Sequence, residues 1–111
     1  MHYTFEEKNN CIVATINEKR ATVDFSGTFK RDLLSQIEDK YKNAVVDLSA
    51  AEFVDSSFLG ALVAGLKKAT MKGGDLKIVG LQPPVRAMFE LTRLYKIFDI
   101  FDTVDDALDS F

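Results

Sequence analysis

Between residues 44 and 79 the chain reads strand, helix, strand, and that order leaves few folds open. Ala44-Val45-Val46-Asp47-Leu48 is a short apolar run containing β-branched residues, the pattern of a strand covered on both faces. Leu59, Leu62, Val63, Leu66 and Thr70 then recur at three- and four-residue intervals. That is the stripe of a helix with one face on a core, and it predicts a helix from about 57 to 71. Lys72-Gly73-Gly74-Asp75 ends it, because glycine adopts the left-handed conformation that closes a helix terminus. Leu76-Lys77-Ile78-Val79 follows as a second strand, stopped by Gly80. Two strands joined by a helical crossover lie parallel.

The flanking segments extend this unit. Residues 11–16 and 21–25 read as two strands joined through the polar Asn17-Glu18-Lys19-Arg20, a hairpin. Ser26-Gly27-Thr28 reads as a turn, with Ser26 or Thr28 capping a helix that carries Leu33, Leu34, Ile37 and Tyr41 on one side. Gln82-Pro83-Pro84 opens a further helix, where proline's fixed φ and missing N–H do no harm, and Val85, Met88, Phe89 and Thr92 form its inward stripe. Ile97-Phe98-Asp99-Ile100-Phe101 reads as a strand. Thr103-Val104-Asp105-Asp106 resembles a capping box and starts a short last helix through Ala107 and Leu108. The order is β-β-α-β-α-β-α-β-α, an α/β fold with a mixed sheet, in one domain over residues 1–111.

Composition narrows the function. Fourteen basic and 17 acidic residues give a net charge of −3, and the only basic doublets are Lys30-Arg31 and Lys67-Lys68, so no nucleic-acid footprint stands out. Cys11 is alone, which excludes an internal disulfide and suits a reducing, cytoplasmic compartment. Its place in Cys11-Ile12-Val13-Ala14 marks it as a small buried side chain. The first residues carry no apolar run of a signal peptide, and no stretch approaches the ~20 apolar residues of a membrane span. His2 is the only histidine and falls in an end expected to fray, so neither Ser-His catalysis nor a histidine metal site can be assembled. Nucleotide-binding loops and nucleophile elbows are absent. The expectation is a protein without catalytic residues, metal or cofactor.

Asp55-Ser56-Ser57 is where chemistry concentrates. It precedes the helical stripe, so a carboxylate and two hydroxyls meet backbone N–H groups that have no intrahelical partner, at the positive end of the helix dipole. Asp and Ser are good N-caps, and the run has a purely structural reading on that ground. A phosphate on one serine would equally find an environment suited to an anion. Phe58 lies about 90° from the centre of the stripe at ~100° per residue, either a core edge or an exposed aromatic at an interface. Gly60 and Gly65 each cost about 1 kcal/mol against alanine in a helix, and close approach by a neighbour would explain them.

Val45-Val46-Asp47-Leu48-Ser49, Phe53-Val54-Asp55-Ser56-Ser57 and Leu59-Gly60, followed by Gly73-Gly74-Asp75-Leu76, Pro84-Val85-Arg86, Phe89-Glu90-Leu91-Thr92 and Leu94-Tyr95-Lys96-Ile97-Phe98, resemble the core of STAS domains, and among them bacterial anti-sigma factor antagonists. The likeness is close over about 44–108 and loose before it. It implies that Ser56 is phosphorylated by an anti-sigma factor that is itself a serine kinase, with Asp55, Ser57, Phe58 and Gly60 supporting the site or meeting the partner. The unphosphorylated form would bind that kinase and free the sigma factor; a phosphatase would reset the phosphorylated form. Three departures stand out. Phe58 replaces the family's usual small residue, Gly27-Thr28-Phe29-Lys30 lacks the Asp of the family's Gly-acidic-aliphatic-Asp run, and the stretch from Gly27 to Asp55, 28 positions, is short for the family. The rival implied by the same resemblance is an adaptor that binds constitutively, as in lipid-transport ATPase complexes or other signalling assemblies.

Overall fold

The computed structural model describes all 111 residues. Strands β1 (Tyr3–Lys8) and β2 (Cys11–Ile16) form an antiparallel hairpin, with Lys8 opposite Cys11. Asn9 and Asn10 make the two-residue turn at φ 52° and 64°, the doubly left-handed geometry that matches strand twist and that asparagine tolerates. The hairpin therefore lies one strand earlier than residues 17–20. Residues 21–25 are not a strand: only Arg20–Ala21 pair, as β3, and helix α1 runs Val23–Asp39. Thr22 caps α1 by accepting from the Asp24 amide at 3.4 Å, so Ser26, Gly27 and Thr28 lie inside the helix and neither caps nor turns it. Phe25, Phe29, Leu33 and Ile37 recur every fourth residue and form its buried edge.

Strand β4 (Ala44–Asp47), the two-residue β5 (Phe53–Val54), helix α2 (Ser56–Met71) and strand β6 (Leu76–Val79) follow the expected crossover. Helix α3 (Pro83–Leu91) starts on its prolines. Val85 and Phe89 are buried there, whereas Thr92 lies beyond the helix and is exposed, its hydroxyl donating to the Met88 carbonyl at 2.6 Å. Residues 94–96 coil into one tight turn that seats Phe98 in the core, so the strand expected over 97–101 shrinks to β7 (Ile100–Phe101). Thr103 caps α4 (Val104–Asp109) by accepting from the Asp106 amide at 3.1 Å.

The main sheet has the order β1-β2-β4-β6-β7, parallel except for the β1–β2 pair, and β3 with β5 forms a separate parallel ribbon. Counting only main-sheet strands, β-β-α-β-α-β-α-β-α holds, although its first two strands are 3–8 and 11–16. One face carries α1, α2 and α3 around a core that includes Phe29, Phe58, Leu62, Leu76 and Phe89. The other carries α4, with Val13, Val45, Val79, Ala107 and Leu108 between. Lys77 is buried on that second face, and its ammonium is satisfied by donating to the Ser110 Oγ at 2.6 Å and lying 4.5 Å from the Phe111 ring centroid. Cys11 is buried as expected, and its thiol is pushed above the ordinary value by that burial. His2 is not frayed: it stacks on Phe25 at 4.7 Å and meets Glu18 at 2.9 Å.

The two glycines of α2 separate. A Cβ on Gly65 would lie 2.7 Å from Leu33 Cδ2 and 2.8 Å from Leu76 Cδ1, whereas one on Gly60 would meet nothing within 4 Å. Close approach thus explains Gly65 and not Gly60. Gly65→Ala should lower stability by roughly 1–2 kcal/mol, because crowding among fully buried leucines outweighs the gain in helix propensity. Gly60→Ala should raise stability by up to about 1 kcal/mol. Urea unfolding of both variants reads the opposite signs.

Candidate functional site

Helix α2 begins where β5 delivers the chain to the edge of the α1 N-terminus. Asp55 is its N-cap, with extended backbone (φ −110°, ψ 176°). One carboxylate oxygen, Oδ1, accepts from the Phe58 amide at 3.0 Å and from the Ser57 hydroxyl at 2.7 Å. The other, Oδ2, accepts from the Val23 amide at 2.9 Å, across to the first turn of α1. A single side chain thereby satisfies an orphan donor on each of two helices. Burial pushes the carboxyl upward, but the Ser57 hydroxyl and the Phe58 and Val23 amides outweigh it and hold the group below the ordinary aspartate value.

The two serines differ. Ser57, exposed like Ser56, is tied on both sides, receiving a hydrogen bond from the hydroxyl of the buried Ser26 at 3.0 Å while donating to Asp55. Ser56, the first residue of α2, is exposed and its hydroxyl has no side-chain or backbone partner within the chain. Asp55 therefore holds Ser57 and not Ser56. Phe58 settles the alternative left open for it: it is fully buried, stacked on Phe29 at 5.3 Å and edge-on to Phe25 at 6.1 Å, so it belongs to the core and offers no surface to a partner. Gly60, one turn beyond Ser56, leaves open space on the exposed side of the helix.

Residues that periodicity did not single out complete the surroundings. Val23 is 69% exposed and Phe53 41% exposed, both beside Asp55 through the bonds of β3, β5 and the α1 start. The Arg20 guanidinium lies 4.5 Å from the Phe53 ring centroid. The signal for this neighbourhood was Thr22 with Asp24 two positions on, a helix cap followed by an acidic first-turn residue. No group of three or more His, Cys, Asp or Glu side chains gathers to hold a metal ion, and no helix is long and apolar enough to cross a membrane.

A mixed five-stranded sheet with three helices on one face and one on the other, and a serine-bearing helix start at one end, defines a particular class of small α/β domain. A family model described as the STAS domain matches residues 4–107, and the chain belongs to that family. An anti-sigma F factor antagonist of Paenibacillus polymyxa is 33% identical over 67 residues, 60% of this chain; the match spans 57% of that relative, a little over half its length. The crystal structure of an anti-sigma factor antagonist from Mycobacterium paratuberculosis superposes with a TM-score of 0.86 at 27% identity, covering 97% of this chain and 91% of that one. SpoIIAA, a Bacillus cell fate determinant solved in its phosphorylated form, shares the fold with a TM-score of 0.77 at 14% identity, 97% of each chain being covered.

Gly27-Thr28-Phe29-Lys30 lies within α1, and the residues that border the site from that side are β3 and Thr22, the α1 cap.

Loss of the Asp55 tie has a defined pH signature. Asp55→Ala should cost about 1–2 kcal/mol at pH 7, as for other N-cap removals. Because the folded carboxyl lies below its unfolded value, its contribution is complete above the unfolded pKa near 3.8 and fades as pH falls through the lower, folded one. The stability gap between wild type and variant should therefore narrow on acidification below pH 3.8, which chemical unfolding across pH 2–7 will show.

Proposed function

We propose that this protein is an anti-sigma factor antagonist that works by partner switching, with Ser56 as its phosphorylation site. The observation that carries this reading is the contrast between two neighbouring exposed serines: the Ser57 hydroxyl is bound on both sides, while that of Ser56, at the first position of α2, is free. Names of relatives supply the partner class, since the Paenibacillus relative is called an antagonist of an anti-sigma factor. That a protein of this fold is found phosphorylated, as SpoIIAA is, supports the modification.

In the proposed cycle the unphosphorylated protein binds an anti-sigma factor with serine-kinase activity and displaces the sigma factor. Ser56 Oγ attacks the γ-phosphorus of the kinase's nucleoside triphosphate, an O–P bond forms, the β–γ bridging bond breaks, and the hydroxyl proton leaves to the kinase. Phosphoserine adds about −1.5 to −2 charge at neutral pH. At a helix N-terminus the protein's own fold accommodates this, since the first-turn amides and the helix dipole favour an anion. Release then arises at the interface, where ~1.4 kcal/mol of differential binding is a tenfold change in affinity. A phosphatase restores the binding form. The cycle belongs to the bacterial cytoplasm and regulates transcription.

Incubation with ATP and the serine-kinase anti-sigma factors encoded in the same genome should add one phosphate by intact mass, and Ser56→Ala should abolish it. Ser56→Asp should weaken binding of that kinase at least about tenfold while unfolding at the temperature of wild type. An unmodified protein that binds an assembly regardless of phosphorylation would make it a constitutive adaptor instead. A Ser56→Asp variant losing fold and binding together would reduce Ser56 to a structural role.

A further inference from the structure

Charge is unevenly placed along this chain. Residues 56–97, which hold α2, β6, α3 and the turn at 94–96, carry seven lysines and arginines against only Asp75 and Glu90, a net +5 in a chain whose total is −3. α4, with Asp105, Asp106 and Asp109, lies on the opposite face of the sheet. The parallel strands fix where the cations gather. Helices α2 and α3 each run from the C-terminal end of one parallel strand to the N-terminal end of the next, so residues 67–72 and 91–97 lie together at the end of the sheet remote from Ser56.

Neighbouring charges, all counted as ionised, do not cancel this pole. The end of α1 alongside adds Glu38 and Asp39 against Lys40 and Lys42, two of each sign. Lys77, buried on the α4 side, is offset by Asp99 at 3.9 Å, which leaves +4. Lys67, Arg86, Arg93 and Lys96 are exposed and have no carboxylate within 4 Å. Apolar side chains stand among them: Met71 is 81% exposed, Leu91 80%, Ile97 50% and Tyr95 48%. Arg93 adds an observation of its own. It follows α3 in the left-handed conformation, φ 60° and ψ 20°, where glycine sits without strain. A long cation is held there against backbone preference, between the exposed Leu91 and Tyr95.

These apolar tips belong to three separate element ends: the last residue of α2, the last residue of α3, and the turn at 94–96 with the residue after it. A protein partner would have to match that uneven contour. A bilayer interface conforms to it, taking tyrosine and aliphatic tips at headgroup depth while cations meet anionic headgroups. We propose that this end of the protein is a peripheral membrane contact. It rests on anionic phospholipid headgroups through Lys67, Arg93 and Lys96, with Leu91 and Ile97 entering the interface and no segment crossing it. The inference does not rest on the partner-switch reading, and Ser56 stays at the far end.

A cation after a helix C-terminus also suits the helix dipole, so the test reads lipid binding and stability apart. The full chain is cosedimented with vesicles of phosphatidylcholine alone and of phosphatidylcholine with about 30 mol% phosphatidylserine, at about 50 and 500 mM salt. Wild type should partition onto the anionic vesicles at least about tenfold more strongly at low salt, and high salt should remove most of that gain. Arg93→Gly combined with Lys96→Glu should weaken partitioning at least about tenfold while unfolding no lower than wild type, since glycine relieves the left-handed backbone. Leu91→Ser should weaken it several-fold. Lys19→Glu, which shifts net charge as Lys96→Glu does but at the Ser56 end, should bind within about twofold of wild type. No preference of wild type for anionic vesicles overturns the inference, and so does a loss in Lys19→Glu equal to that in Lys96→Glu. Binding to poly-glutamate in place of vesicles overturns it in favour of an acidic protein partner. Phosphorylation of Ser56 is read separately by intact mass, so each of these failures leaves the switch standing.

Discussion

Burial of Phe58 is the constraint from which the site's geometry follows. An α-helix turns ~100° per residue, so a side chain pointing into the core at the third position sends the one two places earlier about 200° away, toward solvent. Phe58 is fully buried among Phe25 and Phe29, and Ser56 is exposed. Burying a phenylalanine outright is worth about 1.5–3 kcal/mol, far more than any preference of a serine hydroxyl for one side of a helix. The aromatic that departs from the family's small residue therefore works beneath the surface. It rotates the first turn of α2 and locks it there.

Asp55 fixes the same turn in the other direction. Its carboxylate joins the first amide of α1 to the third residue of α2, and Ser26 and Ser57 extend the tie with a second hydroxyl. With both oxygens occupied, the carboxylate has little left to offer Ser56. Two adjacent serines with almost the same chemistry consequently have different availability: one is part of the joint between helices, the other is free. Composition treats them alike, and the bond to Asp55 together with the contact across 31 positions from Ser26 distinguishes them.

How much of this was legible follows from where signals overlapped. The crossover from 44 to 79 carries one period at a time, a continuous apolar run, then a three-four stripe, then glycines, and each element formed within a residue or two of its expected bounds. Residues 21–29 carry two periods at once. Ala21-Thr22-Val23-Asp24-Phe25 alternates as a strand would, yet Phe25, Phe29 and Leu33 are spaced by four and are all buried. The long-range packing of those rings on Phe58 decides for the helix, and Gly27 is tolerated because it faces solvent. Tyr3 and Phe5 were passed over because β1 is an edge strand with a wet outer face, and its Asn9-Asn10 turn was the stronger hairpin signal. Misplacing that third of the chain hid Val23, Ser26 and Arg20. The candidate site itself remained visible because Asp55 and Ser56 lie in the well-patterned part.

A rigid site also decides where the energy of a switch must reside. If the α2 N-terminus accommodates an added phosphate without rearranging, the two forms differ in charge and hydrogen-bonding capacity at one surface point and in little else. Discrimination then depends on what the partner sets against that point. A Cβ on Gly60 would meet nothing within 4 Å, so the exposed face of α2 one turn beyond Ser56 leaves room for a partner to come close. On the proposed reading the chain supplies a free hydroxyl on a helix start pinned by Phe58 and Asp55, and the partner supplies the surface that a phosphate there would oppose.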